Sequence, residues 1–196
     1  MNKNIEFYYD FISPYSYLAH KKILKIEKTK KINFVYKPIL LGGLHNLLKI
    51  TAPAFIKSKK QYLVKDCEMI AKKLKIEFTF NTKFPINSIN LMRGVLVIEE
   101  NKKKKFINEF FEAYWSLNID LSNDNQLKKL LNNLNIDSNE YFIKINNQKT
   151  KDLLRSITQQ AYDKEIFGAP TFIVNNKIFW GQDRLDYAID EFERIK

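Results

Sequence analysis

The segment Phe7-Tyr8-Tyr9-Asp10-Phe11-Ile12-Ser13-Pro14-Tyr15-Ser16-Tyr17-Leu18-Ala19-His20 changes character at its middle. An apolar run that reads as a buried strand gives way to residues spaced for a helix. Ser13 and Pro14 stand at the break, where serine favours the N-cap and proline the first helical position. A strand therefore turns sharply into a helix whose N-terminus carries partial positive charge beside the Ser13 hydroxyl. Taken alone, the Ser-Pro pair is a helix cap.

A second signal lies far along the chain. Phe167-Gly168-Ala169-Pro170-Thr171-Phe172-Ile173-Val174 is a short loop running straight into an apolar strand. The two signals, in this order and each beside a strand, resemble the two halves of a thioredoxin-like site. Such folds place a C-x-x-C pair at the strand-to-helix junction and a cis-proline loop opposite it. Here the spacing survives as Ser13-Pro14-Tyr15-Ser16, without either sulfur. A place that favours a thiolate remains and the chain brings no thiol to it, so the thiol is expected to arrive with a ligand.

With 196 residues the chain can bury a substantial core, as one compact domain or one domain with a large insertion. No basic stretch followed by an apolar run opens it, and no apolar segment approaches the ~20 residues that span a membrane. One cysteine, Cys67, rules out an internal disulfide and argues against a cysteine-rich metal site. The expectation is a soluble cytoplasmic protein without a metal. The formal charge of +11 invites a nucleic-acid reading, yet only four of the 33 basic residues are arginines: Arg93, Arg155, Arg184 and Arg194. Base readout and bidentate phosphate contacts favour arginine, so the lysine excess reads as solvated surface rather than a nucleic-acid face.

Residues 5–10 and 32–38 read as strands flanking a helix at 14–28. From about 44 to 165 the pattern is helical, with helices expected at 56–74, 87–99, 106–117, 123–134, 138–146 and 150–166. Leu41-Gly42-Gly43 reads as a mobile loop leaving the second strand, and the Asn and Lys clusters at 101–105 and 132–147 as loops and solvated turns. Strands at 171–175 and 177–180 join through Asn175-Asn176, and a closing helix runs from Asp183 to Ile195. The expected class is α/β: a thioredoxin-like βαβ…ββα domain (1–43 and 166–196) with a large all-helical insertion (44–165).

The motifs carry a more specific resemblance. Phe11-x-Ser13-Pro14-Tyr15-Ser16-Tyr17-Leu18-Ala19, Tyr62-x-x-x-Asp66, Phe84-Pro85-x-Asn87-Ser88, Phe167-Gly168-Ala169-Pro170-Thr171 and Trp180-Gly181-Gln182-Asp183-Arg184-Leu185 span almost the whole chain in order. Together they resemble the 2-hydroxychromene-2-carboxylate isomerases, relatives of kappa-class glutathione transferases and DsbA-like proteins. The resemblance implies glutathione as the missing thiol, its sulfur against Ser13. It implies that Ala169, before Pro170, pairs its backbone with the tripeptide. Trp180, Gly181, Gln182 and Asp183 would meet the γ-glutamyl end, with Asp183 on its ammonium; the bland alternative for Asp183 is an N-cap. Tyr15, His45, Asn46, Ile86 and Asn87 are the substrate-side candidates.

The implied activity is isomerisation of 2-hydroxychromene-2-carboxylate or a similar conjugated aromatic keto acid in aromatic catabolism, by reversible thiolate addition. Ser13 would activate the sulfur as a hydrogen-bond donor, since no base is placed by sequence to deprotonate it. A kappa-like transferase uses the same thiolate for conjugation and stands as an alternative. So does a non-catalytic thiol- or peptide-binding module. The resemblance leaves room for a homodimer. His20, Tyr114, Trp115 and Cys67 read as packed residues rather than chemistry. One departure stands out: family members commonly carry Asn or Arg after the proline of the 50–60 loop. This chain has Pro53-Ala54-Phe55-Ile56, with Lys57 and Ser58 only later.

Overall fold

The computed structural model describes residues 4–194. Four strands form one sheet in the order β2-β1-β3-β4. β1 (Ile5–Tyr9) lies at its centre, parallel to β2 (Phe34–Pro38) and antiparallel to β3 (Thr171–Val174), which pairs with β4 (Lys177–Trp180). Helix α1 (Pro14–Glu27) makes the parallel β1–β2 crossover. This is the expected thioredoxin-like α/β arrangement, with β1 buried on both faces as a central strand must be.

Between β2 and β3 the chain is helical: α2 (Leu41–Leu48), α3 (Lys57–Leu74), α4 (Ile89–Val97), α5 (Glu100–Trp115), α6 (Asp124–Asn133), α7 (Ser138–Asn146) and α8 (Gln148–Asp163). A 3-10 turn at Pro53–Phe55 leads into α3, and another at Gln182–Arg184 precedes α9 (Leu185–Arg194). On one face of the sheet, Phe7, Tyr9, Phe11, Phe110, Phe111 and Trp115 belong to a core continuous with the helices. Phe7 opposes Phe172 in register, with stacked rings 5.3 Å apart. On the other face Tyr8 and Ile173 pack with Ile39, Leu44 and Ala161. Trp115 is wholly buried and donates from Nε1 to the Phe11 carbonyl at 2.7 Å, tying α5 to the turn after β1.

Several expectations are corrected. Leu41-Gly42-Gly43 is not a loop but the first turn of α2, which therefore begins before position 44. Its N-terminus is held from outside: the Leu40 amide donates to Thr158 Oγ1 at 3.0 Å and the Leu41 amide to Asp10 at 2.8 Å. The 101–105 cluster lies inside α5, where Lys102, Lys103 and Lys104 pair with Glu99, Glu100 and Glu27. Within 132–147 the expected turn is confined to residues 134–137 and Asn147, since α6 runs to Asn133 and residues 138–146 form the expected helix α7. Tyr62, expected on the apolar face of α3, is exposed. The closing helix begins at Leu185, because the chain from Gln182 to Arg184 winds more tightly; its expected end at Ile195 lies outside the described residues. No helix among the described residues is long and apolar enough to cross a membrane.

Candidate functional site

The turn after β1 is built by Asp10 and Ser13. The Ser13 amide donates to the Asp10 carbonyl at 3.0 Å, and the Ile12 amide to the Asp10 carboxylate at 3.1 Å. Ser13 keeps an extended backbone as N-cap of α1, with Pro14 following. Its Oγ accepts the Ser16 amide at 3.1 Å. That capping role is real, but it uses only a lone pair. The hydroxyl proton goes elsewhere, to the Ala169 carbonyl at 2.9 Å.

Ala169 belongs to the second half of the site. The Ala169–Pro170 peptide bond is cis, as is Phe84–Pro85. The loop is tied down on both sides: Thr171 Oγ1 donates to the Gly168 carbonyl at 2.7 Å, and the Gly181 amide donates to the Pro170 carbonyl at 2.9 Å. Phe167 and Trp180 cover it with rings 4.8 Å apart. Gly168 is required by that cover, since a Cβ there would lie 2.6 Å from Trp180 Nε1. Gly181 is required by its backbone, whose φ of +108° disfavours any side chain. Ser13, Ala169, Pro170, Trp180 and Gly181 are thus brought together as expected. Gln182 and Asp183 follow on the adjoining 3-10 turn. Asp183 makes no cap; its exposed carboxylate stands 3.4 Å from Arg184. Lys22 reaches the Gln182 carbonyl at 3.4 Å, so the rim carries both signs of charge.

The substrate-side candidates divide. The Tyr15 hydroxyl donates to Asp66 at 2.6 Å, and burial together with that carboxylate raises its pKa, so Tyr15 stays a neutral, anchored phenol. Tyr62 reaches the same carboxylate at 3.4 Å. Asn87 accepts the Ile89 amide at 3.0 Å at the start of α4, and Ile86 packs on the core. His45 is half-buried on α2, where burial depresses its pKa, and Asn46 is exposed on the same helix. Neither is bonded to the Ser13–Ala169 pair among the described residues. In the departing 50–60 segment Phe55 is 72% exposed, and Lys60 extends to the Phe84 carbonyl at 3.4 Å.

Sequence reasoning missed Asp10. Its carboxylate is fully buried, and desolvation lifts it to about 6 despite donors from Leu41, Ile12 and Ser88. An acidic residue directly after the apolar run Phe7–Tyr9 was the available signal, because carboxylates are rarely buried without a reason. His20 is packed as expected, bonded to Tyr36 and Asn108, and burial depresses it to about 3. Cys67 is buried and its thiol is pushed up, which leaves it protonated and unreactive. Among the described residues no three His, Cys, Asp or Glu side chains cluster as a metal site would require.

The family of DSBA-like thioredoxin domains matches residues 4–192. The chain is similar to 2-hydroxychromene-2-carboxylate isomerase of Sphingobium xenophagum, 28% identical over 193 residues that cover 95% of this chain and 96% of the relative. It is similar to glutathione S-transferase kappa 1 of Caenorhabditis elegans, 25% identical over 201 residues, covering 95% and 89%. A solved 2-hydroxychromene-2-carboxylate isomerase shares the fold with a TM-score of 0.89 at 23% identity, over 97% of this chain and 95% of that one.

Proposed function

Because the chain belongs to the family of DSBA-like thioredoxin domains, and the cysteine positions of that site hold Ser13 and Ser16, we propose that it is a glutathione-dependent isomerase. Its substrate would be 2-hydroxychromene-2-carboxylate or a similar conjugated aromatic keto acid, a reading supported by the isomerases it resembles. The observation that carries it is the Ser13 hydroxyl at the N-terminus of α1, facing the Ala169 carbonyl in the loop opposite.

The donor set fits glutathione, a tripeptide with one thiol, one ammonium and two carboxylates. Ser13 and the N-terminus of α1 suit the sulfur. The half-buried Ala169 next to Pro170 suits backbone pairing with the tripeptide. Asp183 suits the ammonium, and Lys22 and Arg184 on the same rim suit carboxylates. Glutathione supplies a nucleophilic thiolate, which adds reversibly to a conjugated double bond and so frees it to rotate.

The chain's residues provide the setting. The partial positive charge at the N-terminus of α1 favours an anion beside Ser13. Ser13 carries a single proton on Oγ, held by Ala169, and rotation about its Cβ–Oγ bond can redirect it toward an acceptor in the site. No base is bonded to Oγ among the described residues, which fits a donor rather than a nucleophile. Trp180 lies against the outer side of the loop at Gly168, with the Phe167 ring beside it. The same reading carries a cytoplasmic setting and a homodimer as further expectations.

The test is calorimetric titration with glutathione, followed by turnover of 2-hydroxychromene-2-carboxylate with and without it. Binding with glutathione-dependent isomerisation supports the reading. Absence of heat and of thermal shift at millimolar glutathione would remove it. Similarity to a kappa-class transferase favours one second reading, conjugation without return elimination. Stable glutathione adducts with an aryl halide, in place of isomerised product, would favour that reading.

A further inference from the structure

Asp10 reaches three segments that are remote in sequence. Its carboxylate accepts the Ile12 amide at 3.1 Å, the Leu41 amide at 2.8 Å and the Ser88 hydroxyl at 3.0 Å. Its own carbonyl accepts the Ser13 amide at 3.0 Å. One buried residue thus touches the Ser13 turn through its backbone and its side chain, and the beginnings of α2 and α4 through its side chain.

The side-chain chemistry is selective. All three partners are donors, and Asp10 Oδ2 takes two of them, so an ionised carboxylate satisfies the set. An asparagine would turn an NH2 group against at least one donor. Among the described residues the carboxylate is met by hydrogen-bond donors and by no cation, so the arrangement is a poor device for stability alone. Helix α2 also needs outside help. It has eight residues, two glycines in its first turn, and a Leu40 N-cap with no side-chain acceptor. Asp10 supplies the missing acceptor from the other side of the site.

We infer that Asp10 is a positioning residue that sets the spacing between the Ser13 turn and the α2 and pre-α4 segments by offering one carboxylate to all three. On the function proposed above, the first holds the thiol side of the site and the other two hold the organic substrate. The inference rests on that reading for the word substrate, while the bonds stand without it.

Three variants test it: Asp10→Asn reverses a donor–acceptor pair, Ser88→Ala removes one bond and leaves the charge, and Ser88→Thr keeps the hydroxyl. Amide hydrogen exchange across residues 41–44 and 88–92 is read together with the calorimetric Kd for glutathione and the KM and kcat for 2-hydroxychromene-2-carboxylate. Asp10→Asn should speed exchange in α2 about tenfold, and Ser88→Ala exchange at the start of α4 by a similar factor, the order expected for one lost charge-assisted hydrogen bond. KM should rise by a similar factor, with the glutathione Kd within about twofold and Ser88→Thr close to the parent. Unchanged exchange at residues 88–92 in Ser88→Ala, or at residues 41–44 in a folded Asp10→Asn, overturns the inference, as does a uniform rise across the chain or a parallel loss of glutathione affinity. If Asp10→Asn does not fold, Ser88→Ala decides by the same readouts. If the parent protein turns over none of this substrate, the proposed function falls and the exchange measurement still judges Asp10.

Discussion

Ser13 and Ala169 meet through a single 2.9 Å hydrogen bond, hydroxyl to carbonyl, across 156 residues of chain. Because Oγ has one proton, this bond and a bond to a bound sulfur exclude each other. Any ligand that draws the proton away must also compensate the Ala169 carbonyl.

Ser13→Ala is expected to lower turnover far more than it lowers glutathione affinity. The hydroxyl makes one contact to sulfur, while most of the binding would come from the tripeptide backbone and its γ-glutamyl end. Loss of a charge-assisted hydrogen bond costs on the order of 1.5–3 kcal/mol, about ten- to a hundredfold in rate. The thiolate absorbance of bound glutathione should also move to higher pH. Unchanged activity and unchanged thiol titration would reduce Ser13 to a helix cap.

Asp183→Asn should do the reverse. Its carboxylate is exposed at the rim and paired with the equally exposed Arg184, so folding should be nearly unaffected. Calorimetry should show weaker glutathione binding by about tenfold, with the thiol titration unmoved. An equal affinity in the variant would remove Asp183 from the site.

Gly168→Ala drives a methyl group toward Trp180, whose Nε1 would lie 2.6 Å away. Trp180 is half exposed and must move outward, which uncovers the loop. Tryptophan emission should shift to the red, with glutathione affinity falling and overpacking costing roughly 1–3 kcal/mol of stability. Wild-type emission and affinity together would mean that the ring is not a cover.

Acid stability should show two opposing contributions. Asp10 titrates near 6 in the folded chain. An exposed aspartate titrates near ~3.9, so between these values the folded state binds the extra proton and gains stability as pH falls, by up to about 3 kcal/mol. His20 titrates near 3 when folded. An exposed histidine titrates near ~6.5, so over that window the unfolded state binds the proton and stability is lost, by about 5 kcal/mol at pH 3. Urea midpoints from pH 7 to 4 should therefore fall less steeply in His20→Gln and more steeply in Asp10→Asn. Parallel curves for all three proteins would refute both assignments.

What could be read from the sequence was what is local. The Ser13-Pro14 cap, the loop at 168–170 and the Asn175-Asn176 turn, whose φ values of 49° and 61° suit asparagine, each declare themselves within a few residues. Helix α2 did not, because Gly42 and Gly43 look like a loop and the groups that hold its start come from Asp10 and Thr158. The lysine run in α5 was misread for a similar reason. Part of its charge is balanced by Glu27 on α1, a neighbour that no window of sequence contains. Tyr62 carried the right spacing for a buried face, yet its hydroxyl turns outward to Asp66. Asp10 escaped because its role is defined by donors near positions 41 and 88.

The central strand β1 pairs with β3 only after some 160 residues of intervening chain have been made and gathered in. Contacts this distant in sequence form slowly, because the loop they close must lose its freedom before the pairing repays it. The two lips of the site, at Ser13 and Ala169, sit at the two ends of that loop. The site therefore exists only once that loop is closed, and it depends on β3 staying paired to β1. A small molecule that spans both lips would act as a clasp between the two ends of that loop.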